Sequence, residues 1–270
     1  NSRWATGKGG KIYVNDMANS KLYYYTKSGK TEVCTSAAGS AIAMDDAGNI
    51  VINTTIYTAA ATSFKILPAG KTAFQDLTVT LPDGMTTNQM QYMGHIVGNI
   101  MNDGGGVMFL FPKDATSVAK IYIQNGVQKS CKKIDIGVIT ADAQSIVIPL
   151  ETNNNSDAIA VRLRGNKSFY YHNGTEFVAY ANNGINSTQG GTFFTLNETL
   201  YAVEPIGTNY VDGFQVVDIT NNKIVATHNA QFSTQACAPN ANCITAEIVD
   251  DYEAKLYQYV PGQMAAQYTF

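Results

Sequence analysis

The sequence predicts an all-β domain made of repeated units of short strands, and three observations support this. Gly and Tyr are frequent, with 23 and 16 residues, and Asn and Thr are abundant as well. Aromatic and β-branched residues pack well on a pleated sheet, and Gly and Asn tolerate the positive φ angles of tight turns. Short apolar segments closed by Asp or Asn recur along the chain. Charged residues make up only 14% of the chain, against about 25% in an average domain, which favours a globular fold over disorder or a coiled coil.

The apolar segments have the length of strands, and turns containing Gly or Asn separate them. In chain order, the predicted strand segments are Lys11–Asp16, Lys21–Gly29, Ala41–Asp46, Ile50–Asn53, Ser63–Leu67, Val107–Phe111, Lys120–Gly126, Ala158–Arg162, Ser168–Gly174, Thr199–Val203, Gly213–Asp218, Ala246–Asp251 and Lys255–Gly262. The first pair of segments matches the last pair, since both read as a strand ending in Asp followed by a second strand that begins Lys-Leu-Tyr. We therefore predict six copies of one structural unit.

The spacing of the copies indicates how the units are arranged. They begin near residues 12, 50, 107, 159, 200 and 247, roughly 40 to 57 residues apart, which is the size of a four-stranded propeller blade. A meander of that length cannot bury both its faces alone, whereas blades packed around an axis cover one another. The period therefore predicts a six-bladed β-propeller that spans residues 1–270 as a single domain. A five-bladed ring and a β-sandwich are the alternatives.

Closure of the ring is open between two arrangements. Residues Arg3–Gly7 either form the innermost strand of the first blade, or an N-terminal strand completes the last blade. Both arrangements give six blades.

Two stretches of the chain resemble known propellers. Ala41–Asn53 followed by Phe64–Gly70 resembles the blades of NHL-like and SMP-30-like six-bladed propellers, and the ending Asp250–Phe270 is similar to the close of uncharacterised secreted or lipid-anchored propeller proteins of Bacteroidetes. In SMP-30-like lactonases a Glu, Asn and Asp set from different blades holds a divalent cation at the channel mouth, but this chain does not match that set position by position. We therefore predict no cofactor, with calcium as the alternative that the resemblance implies.

Candidate site residues are polar side chains expected near one mouth of the channel. His95 should lie on an innermost strand and is the best candidate for a group that faces the channel. Asp45, Asn99 and Asp103 complete the predicted ligand-binding set, although Asp at a strand end is also what a turn requires. We predict no catalytic or metal-ligating residue, because the chain has neither a nucleophile elbow nor a P-loop.

Four cysteines are present. Cys237 and Cys243 lie six residues apart, in a segment that could close into a disulfide in an oxidising compartment, and free buried thiols are the alternative. Cys34 and Cys131 fall in strand-like segments, so we expect them to be small core residues.

The overall charge bears on which kinds of partner the protein could bind. A net charge of -3 and a pI near 5.6 give no electrostatic reason to expect nucleic acid as a partner. No segment approaches the roughly 20 apolar residues of a transmembrane helix.

We expect a mature chain with its signal removed, either secreted, periplasmic or lipid-anchored at the outer surface. The predicted function is a non-enzymatic extracellular binding or scaffold module for a glycan or an envelope protein, and the alternative is a metal-dependent lactonase, hydrolase or lyase of the SMP-30-like type.

Overall fold

A computed structural model describes most of the chain. The residues described are 4–55, 63–87, 89, 90, 92–137, 139–142, 145–163, 168–173, 175–180, 191–206, 213–229, 243–260 and 264–270. Within these ranges the regular structure consists of β-strands alone.

The strands form six antiparallel sheets, and in each sheet they are ordered as in the sequence. Blade 1 contains β1 (Ala5–Lys8), β2 (Lys11–Asp16), β3 (Lys21–Thr26) and β4 (Gly29–Thr35), and blade 2 contains β5 (Ile42–Met44), β6 (Ile50–Asn53), β7 (Phe64–Leu67) and β8 (Gln75–Leu77). Blade 3 contains β9 (Val97–Gly98), β10 (Gly106–Leu110), β11 (Ser117–Gln124) and β12 (Val127–Asp135), and blade 4 contains β13 (Ile146–Pro149), β14 (Ile159–Leu163), β15 (Ser168–His172) and β16 (Phe177–Tyr180). Blade 5 contains β17 (Thr192–Leu196), β18 (Thr199–Pro205), β19 (Gly213–Asp218) and β20 (Lys223–Asn229), and the described strands of blade 6 are β21 (Cys243–Asp250), β22 (Glu253–Val260) and β23 (Met264–Thr269).

The six sheets are the blades of a six-bladed β-propeller, which confirms the predicted fold class. The first strand of each blade lies towards the axis, and the middle strands are covered by neighbouring blades. Strands β10, β14 and β19 are buried at every position, whereas most residues of the outer strands β12 and β20 are exposed. This burial explains why second and third strands read as apolar runs in the sequence.

Ring closure follows the first of the two predicted arrangements. Strand β1 is the innermost strand of blade 1 and packs against β21 and β22 of blade 6. The predicted equivalence of Lys11–Asp16 and Ala246–Asp251 is wrong by one strand, because the former is the second strand of its blade and the latter falls on the first. Both segments end in Asp, a residue that favours turns. Because turns follow first and second strands alike, this residue does not distinguish the two strands.

Candidate functional site

The six blades surround a cavity of about 860 Å³ at one mouth of the central channel. The innermost strands line its wall, and the turns that follow them form its rim. Every blade contributes a charged or titratable side chain, in blade order Lys8, Asp46, His95, Glu151, Glu198 and Asp251. The cavity is therefore built from residues far apart in sequence.

The structure places His95 at the channel mouth, just before the two-residue innermost strand β9 and not on it. Its Nε2 donates a hydrogen bond to Asp46 Oδ1 at 2.8 Å, and the main-chain N–H of Gly98 donates to Asp46 Oδ2 at 2.6 Å. Burial tends to raise the pKa of Asp46, but the hydrogen bond and charge of His95 and the bond from Gly98 outweigh it, so the pKa lies below its usual value. A carboxylate and an imidazole thus form a pair, partly open to solvent, at the rim.

Asp45, the neighbour of Asp46, has a different role. It is completely buried, and its two oxygens accept four hydrogen bonds, from the N–H groups of Ala47, Asn49 and Ile100 and from the Asn49 side chain. Burial raises the pKa of Asp45 more than these bonds lower it. Its carboxylate therefore joins blade 2 to blade 3, and its oxygens are already engaged within the protein.

Asn99 and Asp103 are not among the described residues that line the cavity. Asn99 Oδ1 accepts bonds from the Asn49 side chain and from the N–H of Met101, both at 3.0 Å. Asp103 is exposed, and its Oδ1 accepts a bond from the Asn125 side chain at 2.7 Å. Of the predicted set, the structure thus brings His95 and Asp45 to the mouth and places Asn99 and Asp103 in turn networks of blade 3.

A second structured part of the rim was not predicted. Glu247 on β21 accepts hydrogen bonds from the Tyr257 hydroxyl at 2.5 Å and from the N–H of Gly9 at 3.0 and 3.2 Å. The N–H of Gly10 donates to the Tyr257 hydroxyl at 3.0 Å. Burial and the neighbouring Glu247 carboxylate raise the pKa of Tyr257 far above its usual value. This closure latch, formed by Glu247, Tyr257 and the turn at Gly9–Gly10, joins the last blade to the first.

The cavity is strongly acidic. Of the described residues that line it, seven are Asp or Glu and one is Lys, although the whole chain has 21 acidic and 18 basic residues. The carboxylates that the predicted set missed are Asp46, Glu151, Glu198, Glu247, Asp250 and Asp251. Most of them lie at the end of an innermost strand or in the turn that follows it, and that position is the signal that could have identified them.

Within the described ranges, no group of three or more His, Cys, Asp or Glu side chains could hold a metal ion. The same ranges contain no helix long and apolar enough to cross a membrane. Cys243 is buried, and its Sγ lies 3.4 Å from the Ala5 nitrogen and 3.3 Å from the Ala5 oxygen. Cys237 lies outside the described residues, so its pairing with Cys243 stays a prediction. Cys34 is buried in the core, whereas Cys131 on the outermost strand β12 is half-buried and packs against the core from its edge.

No protein-family model matches this sequence, and no curated protein matches it. Solved structures do match it in fold. A streptogramin B lyase structure has a TM-score of 0.51 and 13% identity, with 98% of this chain and 82% of that chain covered. A protein of unknown function from Bacteroides thetaiotaomicron has a TM-score of 0.60 and 8% identity, with 98% and 68% covered. A chain of the nidogen/laminin complex has a TM-score of 0.52 and 10% identity, with 82% and 76% covered. At these identities the likeness establishes the propeller fold alone.

Proposed function

We propose that this chain is a non-enzymatic binding module that takes its ligand, a glycan or a segment of an envelope protein, at the mouth of the central channel. The observation that supports this is the cavity of about 860 Å³ lined by all six blades. Its volume lies within the range of roughly 300 to 1,000 Å³ that is typical of ligand pockets. Because rigid strands of every blade form the wall, a ligand would meet a preformed site.

The hydrogen bonds of two of the seven carboxylates at the mouth, Asp45 and Glu247, favour a binding role for these two over catalysis. The oxygens of Asp45 accept four hydrogen bonds, and Glu247 is held by the latch to blade 1. A general base needs a lone pair within reach of the substrate, and these two side chains use theirs to hold blades together. They would shape the site and its potential without taking part in a reaction.

Binding at the mouth can be tested with a substitution that fills the cavity. Thr195 lies on the cavity wall, so Thr195→Trp should weaken binding of any ligand selected from a glycan array and a peptide library by at least about tenfold. The matched control is Thr31→Trp, on the exposed outer strand of blade 1, and it should leave affinity unchanged. If no selected ligand distinguishes these two variants, the mouth is not the binding site.

A second candidate function is hydrolase or lyase chemistry, and the Asp46–His95 pair is the observation that favours it. An imidazole held at 2.8 Å from a carboxylate at a cavity mouth has the arrangement of a general base with its orienting group. Calcium titration of the chelator-stripped chain by calorimetry, with lactones and polysaccharides then assayed for turnover, tests this function. Stoichiometric calcium together with turnover that His95→Asn abolishes would favour the enzyme over the binding module.

The proposed location is the cell exterior, whether secreted, periplasmic or lipid-anchored. It rests on the low content of charged residues, 14% of the chain, and on the abundance of Asn, Thr and Tyr. Fractionation of source cells, followed by immunoblotting of cytoplasmic, periplasmic and membrane fractions, tests it. Recovery in the cytoplasmic fraction alone would contradict the proposal.

A further inference from the structure

The innermost hairpin of blade 6 is longer than those of the other blades. Strand β21 has eight residues, whereas the innermost strands of blades 1 to 5 have two to five. Its pairing with β22 runs from Cys243 opposite Tyr259 to Asp250 opposite Glu253. The residues Ile248–Glu253 at the end of this hairpin, here called the rim hairpin, lie beside the cavity, which Ile248, Asp250 and Asp251 help to line.

The rim hairpin exposes three large apolar side chains. Ile248 is 39% exposed, Val249 45% and Tyr252 81%. A register shift between Ile248 and Asp250 leaves Val249 without a partner on β22, so two consecutive apolar residues are exposed where regular alternation would turn one of them inward. Apolar residues concentrated on one exposed hairpin mark a contact surface, and Tyr is among the residue types that contribute most binding energy in interfaces.

The rim hairpin is held in place at both ends. At its base, the latch from Glu247 to Tyr257 and Gly9 fixes β21 to blade 1. At its tip, the Tyr252 N–H donates to Asp250 Oδ1 at 2.8 Å, which closes the turn. A surface that is already ordered loses less conformational entropy when a partner binds.

The charge around the rim hairpin indicates what kind of partner fits. Asp250 and Asp251 are on the hairpin itself, and the exposed Glu151 and Glu198 stand on the rims of blades 4 and 5. A basic side chain that enters the cavity would meet several carboxylates and Lys8 as the one lysine among the described lining residues. Complementary charge of this kind steers association and fixes which partner binds.

From the apolar tip and the acidic mouth together, we propose that the rim hairpin and the cavity dock a protein segment in which a Lys or Arg side chain stands next to an apolar one. The basic side chain enters the acidic mouth, and the apolar residue packs on Tyr252 and Val249. This inference rests on the proposed function, because it names the ligand class of the same mouth.

The test uses random twelve-residue peptides displayed on phage and selected on the immobilised full chain. The enriched peptides should carry Lys or Arg beside an apolar residue, and their affinity should fall as NaCl rises from 50 to 500 mM. The double variant Tyr252→Ser with Asp251→Asn should bind them at least about tenfold more weakly. The matched control is Val127→Ser with Asp76→Asn, two exposed positions on the outer strands of blades 3 and 2, and it should bind within about twofold of the wild type.

The outcomes separate the two proposals. Failure to enrich any peptide, enrichment of sequences without basic residues, or equal loss in both double variants overturns the docking proposal. If ligands from the glycan array or the library bind in a way that Thr195→Trp blocks and the rim-hairpin variant does not change, the mouth binds ligands and the docking proposal is wrong. If no ligand responds to Thr195→Trp, the proposed function itself fails.

Discussion

Replacing Gly7 by alanine should disrupt closure of the ring. Gly7 lies on β1 beside Tyr257 of blade 6, and a Cβ on Gly7 would stand 2.0 Å from Tyr257 Cγ and 2.2 Å from its Cδ2. Ordinary contact requires 3.4 Å or more, so the ring or the strand must move by roughly 1.5 Å. Tyr257 is only 1% exposed, which leaves it little room to move.

The cost can be estimated from two effects. Overpacking of this kind costs about 1 to 3 kcal/mol. Displacing the Tyr257 hydroxyl also weakens its 2.5 Å bond to the Glu247 carboxylate, and a hydrogen bond to a charged group contributes about 1.5 to 3 kcal/mol. We expect a loss of about 3 kcal/mol in the free energy of unfolding, and a Tm lower by roughly 6 to 10 °C for a chain of this length.

The assay is urea unfolding of Gly7→Ala, Tyr257→Ala and the double variant. Tyr257→Ala alone should cost about 3 to 5 kcal/mol, and the double variant should lose at least 1 kcal/mol less than the sum, because the new methyl group occupies space that the ring vacated. Gly104→Ala is the control, since its nearest neighbour is the end of the flexible Asn102 side chain at 3.3 Å, which has to move only slightly. A Gly7→Ala variant as stable as the wild type, or additive losses in the double variant, would refute the reasoning.

Three further substitutions or measurements test other parts of the structure. Glu204 is completely buried and accepts a bond from Gln215. Burial raises the pKa of Glu204 despite its hydrogen bonds. The stability that the protonated side chain contributes is therefore fully present below the pKa of Glu204 in the unfolded state, and it is lost as pH rises through its pKa in the folded state. Glu204→Gln should therefore raise Tm at pH 8 and have little effect at pH 4, and a gain equal at both pH values would contradict this. Asp45→Ala should lower the free energy of unfolding by about 3 kcal/mol or more, because it leaves buried N–H donors without an acceptor. In urea unfolding, Asp45→Asn should lose less of this free energy than Asp45→Ala. Equal losses in the two variants would contradict the hydrogen-bond explanation. Burial raises the pKa of the Cys243 thiol to about 12, so iodoacetamide should label Cys243 only after the protein is denatured. If Cys243 forms a disulfide with Cys237, labelling should require a reductant as well. Rapid labelling of the native chain would contradict the burial of Cys243.

The strands that the sequence revealed are those buried on both faces. Val107–Phe111 and Gly213–Asp218 were recognised because neighbouring blades cover them, so nearly every position is apolar. The innermost strands Ile146–Pro149 and Thr192–Leu196 were missed, because four or five residues carry little periodicity. The outermost strand Lys223–Asn229 was missed because it is mostly exposed.

The candidate site was harder to predict than the fold. The predicted set contains His95 and Asp45, whereas the structure pairs His95 with Asp46. Asp45 and Asp46 are adjacent in sequence and both follow the apolar strand β5, so neither composition nor spacing predicts which of them pairs with His95. Contacts with blade 3 distinguish them, since the Ile100 N–H donates a hydrogen bond to the buried Asp45, whereas His95 is hydrogen-bonded to Asp46 at the rim.

The sequence by itself determined the fold class, the number of repeated units and their spacing, because strand length, turn residues and burial of middle strands are local consequences of residue type. The tertiary structure alone decided which carboxylates line the mouth and how the ring closes. Gly9 is 238 residues away from Glu247 in the chain, and it meets Glu247 and Tyr257 only because the last blade packs against the first. The function proposed for the mouth depends on that packing, since no single blade contains more than a part of the site.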